Sequence, residues 1–415
     1  MREGIGGAWR NNQLTSFPPI DLPNATSLNA GGGQSALAGT GAWAGNQLTD
    51  FPMIDVGEVT NFRGAWYGNA LTSFPLLDTS SGTNFHWTWA YNDLTEFPAL
   101  DVSNGANFGH AWLANALTDF PALDFGNGTN FRETWLDNAL TSFPDVNMSK
   151  GVDFRRTWAN NQLVTFPAID MPNGTHFGGA WYDNQLVTFP AIDMSSATNL
   201  DHGGGQQTVG AGVGAWALNE LEDFPAIPLG TVTNFRGAWY GNRLTSFPAI
   251  DLSSGQNFNS AWRSNELTSF PAIDMPSGTS FSRTWEDNAL DAFPPIDLSS
   301  GTLFFSAWRH NALDHFGDVD MSAATNVTDA WRDNGPIAAF DTRSLSSITT
   351  ANHAFESSPL STQDYSELLI ALKANNPNHD VTFGARGSQY DASAAAARDA
   401  LEARGWDITD DGLAD

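Results

Sequence analysis

Residues Thr233 to Gly255 read T-N-F-R-G-A-W-Y-G-N-R-L-T-S-F-P-A-I-D-L-S-S-G, with Trp239 at the seventh place, and the phrase recurs along the chain. Tryptophan stands at 9, 43, 66, 89, 112, 135, 158, 181, 216, 239, 262, 285, 308 and 331, a step of 23 residues broken twice. His353-Ala354-Phe355 falls where a fifteenth, decayed copy belongs. A period in the twenties with apolar residues at fixed offsets describes one short supersecondary unit, unable to bury its apolar face until a neighbour stacks on it. The expected fold is a solenoid of about fifteen stacked 23-residue coils over residues 1–358, each a β-strand plus a turn or short helix.

Within one repeat, Phe247-Pro-Ala-Ile250-Asp-Leu252 reads as a short strand with Ile250 and Leu252 inward and Ala249, Asp251 and Ser253 outward. A rival register starts the strand at Trp; its other inward position, two before Trp, would then carry Gly64, His110, Glu133, Arg156 and Arg283, which disfavours it. Asn follows three residues after Trp throughout, including Asn69, Asn92, Asn115, Asn138, Asn161, Asn184, Asn242, Asn265 and Asn288. Stacked amides at one position can satisfy the turn backbone of the adjacent coil, so this column reads as a structural ladder. Ala or Thr before each Trp reads as a tight inner corner, and Pro248 and its equivalents stiffen the way into the strand.

The two breaks in period carry Gly-rich insertions near 29–41 and 201–214, seven repeats apart. Past them the sequence matches itself at an offset of 173: Phe62-Arg-Gly-Ala-Trp-Tyr-Gly-Asn69 returns at Phe235 to Asn242, so a seven-repeat cassette was duplicated. The glycine runs read as loops at one edge of the solenoid. Residues 359–415 change character: Ser361-Thr-Gln-Asp364 opens a helix, Val381-Thr-Phe is strand-like, Ala392 to Arg404 is helical and Gly405 stops it. That pattern is expected to be a small α/β cap on the sticky end of the array.

Asp and Glu total 46 against 18 Lys and Arg, a net charge of −28, with Lys150 and Lys373 the two lysines. Such a polyanion repels phosphate at long range and has no basic stripe, which argues against nucleic acid as partner. Cysteine is absent, which excludes disulfides and thiolate metal sites. No stretch reaches the length of a membrane span, so membrane insertion is not expected. Met1 to Gly7 lacks the apolar core of a signal peptide, and the repeats begin almost at once. From that start we expect a removed leader or release by lysis, and end-on docking of the uncapped N-terminus to another virion or surface subunit.

The A-W-x-x-N-x-L-T-x-F-P repeat resembles the BspA-like branch of leucine-rich repeats, with Trp for the usual Phe and Asn for the usual Cys at the corner. Tyr390-Asp-Ala-Ser-Ala-Ala-Ala-Ala-Arg398 to Gly405-Trp-Asp-Ile-Thr-Asp410 is similar to the segment that closes such arrays in bacterial surface proteins and tailed-phage fibres. The resemblance implies an adhesive surface protein, and its departures at the corner mean that no binding residue is carried over from it.

No thiol nucleophile, H-x-x-x-H pair, G-x-S-x-G elbow or P-loop is present, and the expectation is a protein that is not an enzyme. Twelve residues after Trp runs an Asp column that includes Asp78, Asp101, Asp124, Asp251, Asp274 and Asp297. At a coil spacing near 4.8 Å and an effective dielectric of about 20, neighbouring charges there repel by roughly 3 kcal/mol. Each carboxylate therefore closes an Asx turn onto the residues behind it, or the column holds divalent cations such as Ca2+; no other cofactor is indicated. The most variable positions flank Trp and hold Arg63, Trp87, His110, Arg132, Arg155, Arg156, Tyr182, Arg236, Arg263, Arg283 and Arg309. Arg and aromatic side chains gathered in the free positions of a fixed frame mark a recognition face, or else the arginines balance acidic neighbours on exposed turns. The expected function is a receptor-binding or adhesive fibre component engaging a cell-surface glycan or protein, in a virion or at a cell surface. A self-assembling filament or shell protein is the alternative from another class, and a flat-face binder built on Thr rows is the third.

Overall fold

The computed structural model describes residues 4–29, 40–202 and 214–414. The chain divides into two compact units, Met1–Ala197 and Thr198–Asp415; the division falls among the Trp repeats, and the non-repetitive C-terminal segment lies in the second unit.

Each repeat gives few residues to regular structure, and what it gives pairs with the repeats before and after. In the first unit Asn61 pairs with Asn84, Asn84 with Asn107, Asn107 with Asn130, Asn130 with Asp153 and Asp153 with His176, all parallel. The second unit has the same run from Asn199↔Asn234 to Asn326↔Thr350. Within each unit, then, successive repeats lie side by side in parallel, in register with the sequence period. The pairing column is five residues before Trp.

The strand expected around Ile250 and Leu252 is not where the backbone pairs most. Those two side chains are buried and Ala249, Asp251 and Ser253 are exposed, so the alternation stands. Ladder bonding does not follow it, because the Phe-Pro step interrupts the row. Pro has no N–H to give, and the N–H groups of Leu77, Leu100 and Ile169 turn back to the carbonyls of Pro75, Pro98 and Pro167 at 2.8–2.9 Å, a γ-turn pattern. Among the described residues a parallel sheet at the Phe position forms late in the repeats, where β1 (Ala292–Phe293), β2 (His315–Phe316) and β3 (Ala339–Phe340) pair in order.

Three aromatic columns make the core. In the first unit Trp43 to Trp181 are fully buried, with neighbouring rings parallel and 5.1 Å (Trp89 to Trp112) to 6.0 Å (Trp66 to Trp89) apart. The Phe eight after each Trp meets the Trp column edge-on, as Phe74 does to Trp66 at 4.8 Å and to Trp89 at 5.5 Å. The Phe four before Trp stacks on its own kind, Phe85 on Phe108 at 5.4 Å. The second unit repeats the arrangement, for example Trp239 on Trp262 at 5.2 Å and Phe235 on Phe258 at 5.1 Å. One buried indole removes about 150–250 Å2 from water, so a single ring per repeat supplies much of the drive to stack. The Ser-Ser-Gly turn ends in glycine for a packing reason: a Cβ on Gly82 would lie 2.3 Å from the Phe85 ring.

Between the aromatic columns runs the Asn ladder. Asn92 Nδ2 donates to the carbonyl of Trp89 in its own repeat and of Trp66 in the preceding one, while its Oδ1 accepts from Leu71 N–H. Asn69, Asn115, Asn138, Asn161 and Asn184 in the first unit, and Asn242, Asn265 and Asn288 in the second, donate to the same pair of carbonyls. Where Thr precedes Trp it adds a tie, Thr134 Oγ1 donating to Phe108 O one repeat back at 3.0 Å.

Residues 30–39 and 203–213, the bulk of the two Gly-rich insertions and of the edge-loop expectation, lie outside the described residues. Their flanks close by antiparallel bridges, Asn29 to Gly41 and Asp201 to Gly214. In the second unit the chain ends with α1 (Thr362–Asn375), β4 (Thr382–Gly384), α2 (Ala395–Glu402) and β5 (Asp407–Thr409), β4 pairing parallel to β5. Ser361 caps α1, its Oγ accepting from Asp364 N–H, and Tyr365, Leu368, Leu369 and Leu372 form its buried stripe. Among the described residues no helix is long and apolar enough to cross a membrane.

Candidate functional site

The corner around each Trp positions the variable side chains. Five residues before Trp, most repeats have an Asn or Asp that accepts from the N–H two residues on, as Asn130 does from Arg132 at 3.1 Å and Asp153 from Arg155 at 3.1 Å. This Asx turn swings the chain outward into the corner. The residue two before Trp then takes a left-handed conformation, φ being 62° at Trp87, 61° at His110, 55° at Glu133 and 53° at Arg156. Such a conformation costs roughly 1–2 kcal/mol for a residue with a Cβ, and it points the side chain away from the core, which is why polar and charged residues occupy it. The residue two after Trp is left-handed too, with Gly68, Ala114 and Asp137 at φ 65°, 53° and 57°.

In the first unit the outward residues of five consecutive repeats converge on one concavity of about 380 Å3. Arg63, Trp87, His110, Arg132 and Arg155 all line it, joined by His86, Asn130 and Asp153. Trp87 stacks on His110 with ring centroids 4.0 Å apart, and His86 meets His110 edge-on at 5.3 Å. Two carboxylates sit among the cations. Arg155 forks onto Asp153, Nε to Oδ1 at 2.9 Å and Nη2 to Oδ2. Glu133 lies 3.3 Å from His110 Nε2 and 3.2 Å from Arg132 Nε.

Burial by itself would raise Glu133, but the His110 hydrogen bond and charge, with Arg132 and Arg156, hold it down at about 2. Burial, then His110, Arg63 and Arg132, drive His86 down to about 3, so its ring is neutral and offers one donor and one acceptor. His110 Nδ1 is buried with no partner among the described residues. Arg63, Arg132 and Arg155 line the concavity, Arg132 beside Glu133 and Arg155 on Asp153, in a chain of net charge −28.

The other sequence candidates fall differently. Arg156 does not line the concavity and acts on Glu133 through its charge. Tyr182, with Tyr67 and Trp87, packs on a buried apolar ladder of Ala90, Leu113, Leu136 and Ala159, the residues that follow each Trp. In the second unit Arg236 and Arg283 line a separate concavity, whereas Arg263 and Arg309 turn to Glu286, Nε of Arg263 lying 2.8 Å and Nη1 of Arg309 4.0 Å from its carboxylate. For those two, balancing a buried acid is what the contacts show. Burial outweighs the three arginines near Glu286, and its carboxyl stays above the ordinary value.

The Asp column makes Asx turns. Asp78, Asp101, Asp124, Asp251 and Asp297 each accept at Oδ1 from the N–H two residues on, at 2.8–3.1 Å, and Asp274 accepts from Asp297 N–H. Hydrogen bonds from Ser103 and Ser253 lower the carboxyls of Asp101 and Asp251. Among the described residues no three of His, Asp and Glu gather as a metal-binding group.

Sequence reasoning missed His86, which shares its place three before Trp with Arg63, Arg132 and Arg155, and missed Asn130 and Asp153 beneath them. The signal available was the position itself, since Arg63, His86, Arg132 and Arg155 all emerge from an Asx turn. No protein-family model matches the chain, and no curated protein matches it either.

Proposed function

We propose that this chain is a non-enzymatic binding protein, a solenoid of leucine-rich-repeat-like coils that serves as a receptor-binding or adhesive component of a virion fibre or a cell surface. Its first unit holds an acidic saccharide of a surface glycan. The observation that carries the reading is the concavity at Trp87: an aromatic platform 4.0 Å from His110, flanked by Arg63, Arg132 and Arg155. An indole face takes the C–H face of a sugar ring, arginine forks take its carboxylate or sulfate, and the neutral His86 ring suits its hydroxyls.

The test is adsorption of the intact protein to an array of bacterial polysaccharides, beside a variant carrying Trp87→Ala, Arg132→Ala and Arg155→Ala. Acidic polysaccharides should retain the parent and not the variant, with the melting temperature of the two alike. Equal retention would place recognition elsewhere. If no polysaccharide retains the parent, glycan binding is wrong and the filament reading takes its place.

A further inference from the structure

The seven-repeat duplication carries the site with it. Adding the offset of 173 takes Arg63 to Arg236, His86 to Asn259, Trp87 to Ser260, His110 to Arg283 and Arg132 to Phe305. All five of those second-cassette residues line one concavity of about 500 Å3 in the second unit. The same corner geometry makes it, with φ 58° at Ser260 and 59° at Arg283. An aromatic platform is present again but supplied from a different repeat, Phe305 standing where the first cassette has Arg132.

The chemistry has changed in a definite direction. Arg236 lies 3.9 Å from Asp201, and Arg283 lies 3.7 Å from Glu286 and 5.2 Å from the centre of the Phe305 ring. Each of the two lining arginines has a carboxylate beside it, Asp201 for Arg236 and, shared with Arg263 and Arg309, Glu286 for Arg283. What remains toward the cavity is neutral. Asn259 Oδ1 accepts from Ser280 Oγ and Ser282 N–H, and Asn257 Oδ1 accepts from Asn259 N–H, which fixes both amides with their nitrogens outward. Those two Nδ2 groups and the hydroxyls of Ser260 and Ser282 make no hydrogen bond among the described residues, so a ligand can use them. A volume within the roughly 300–1,000 Å3 of small-ligand sites, one half-buried ring and fixed neutral donors suit a sugar that carries hydroxyls and no charge.

We propose that the second unit holds a second saccharide site, centred on Phe305, Asn259 and Ser282, that takes a neutral sugar residue. The claim rests on the glycan reading of the first concavity and extends it to a two-site protein with different charge preferences. Titration of the full chain with neutral gluco-, galacto- and manno-trisaccharides, and separately with trigalacturonate, tests it, followed by saturation-transfer NMR. At least one neutral trisaccharide should bind, weaken about tenfold in Phe305→Ala and in Asn259→Ala, and be unaffected by Trp87→Ala. Trigalacturonate should show the opposite pattern. Binding of trigalacturonate alone, or neutral binding untouched by Phe305→Ala and Asn259→Ala, overturns the second site and leaves the first standing. Failure of every saccharide overturns both. Unchanged melting temperatures in the variants separate loss of contact from loss of fold.

Discussion

Backbone conformation at the corner decides what single residues do. Ala114 is held at φ 53° at a place where Gly45, Gly68 and Gly241 serve other repeats. Ala114→Gly, harmful in a helix or strand, should here stabilise by about 0.5–1 kcal/mol in denaturant titration, because the strained Cβ outweighs the added freedom of the unfolded chain. His86 gives a pH signature. Its folded value of about 3 lies below the ordinary 6.5, so between those values the unfolded chain takes a proton that the folded chain refuses. Stability should therefore fall as pH drops through that window, by on the order of 1 kcal/mol at pH 5 once residual solvent screening is allowed for. His86→Asn, which mimics Asn259, should flatten the profile; a parallel profile in the variant would show that His86 is not the source. The Asn column was readable in the sequence because one polar residue at one spacing has few explanations. Phe305 was not, since it adjoins Phe304 of the core column and a single sequence does not tell a platform from a core ring.

At the scale of the element, each repeat depends on side chains for bonds that a longer strand would make through its backbone. Asn138 ties the carbonyls of Trp112 and Trp135 and the N–H of Leu117. Asn138→Ala leaves all three without that partner and should cost about 1–3 kcal/mol, read as a lower denaturant midpoint. Ser361→Ala, which removes the α1 cap, should cost about 1 kcal/mol. The Asx turns need no ion, so matched melting curves with calcium and with chelator are expected; a clear rise with calcium would restore the cation reading of the Asp column. Repeat length and helix start were legible, the first from Trp spacing and the second from Ser361 and Asp364. The strand position was not, because the L-x-x-L-x-L phrase fixes which side chains go inward and says nothing of a Pro that diverts the neighbouring N–H.

For the molecule as a whole, a net charge of −28 sets the long-range field and a few corners set the local one. Added salt should raise the melting temperature as self-repulsion is screened, with most of the rise by about 0.15 M, where the screening length is about 8 Å. The duplication explains how one frame can carry two chemistries: the Trp, Phe and Asn columns are kept, and the residues two and three before Trp are free to differ. Arginines around the corner serve two ends: three before Trp, Arg63, Arg132 and Arg155 line a concavity, and one after Trp, Arg263 and Arg309 balance Glu286. The measurement that bears most directly on the whole account is the affinity of the intact chain for trigalacturonate, beside that of the Trp87→Ala, Arg132→Ala, Arg155→Ala variant. We predict saturable binding by the parent, a loss of about a hundredfold or more in the variant, and unchanged melting of both. Equal affinity in the two proteins, or no binding by the parent, would contradict it.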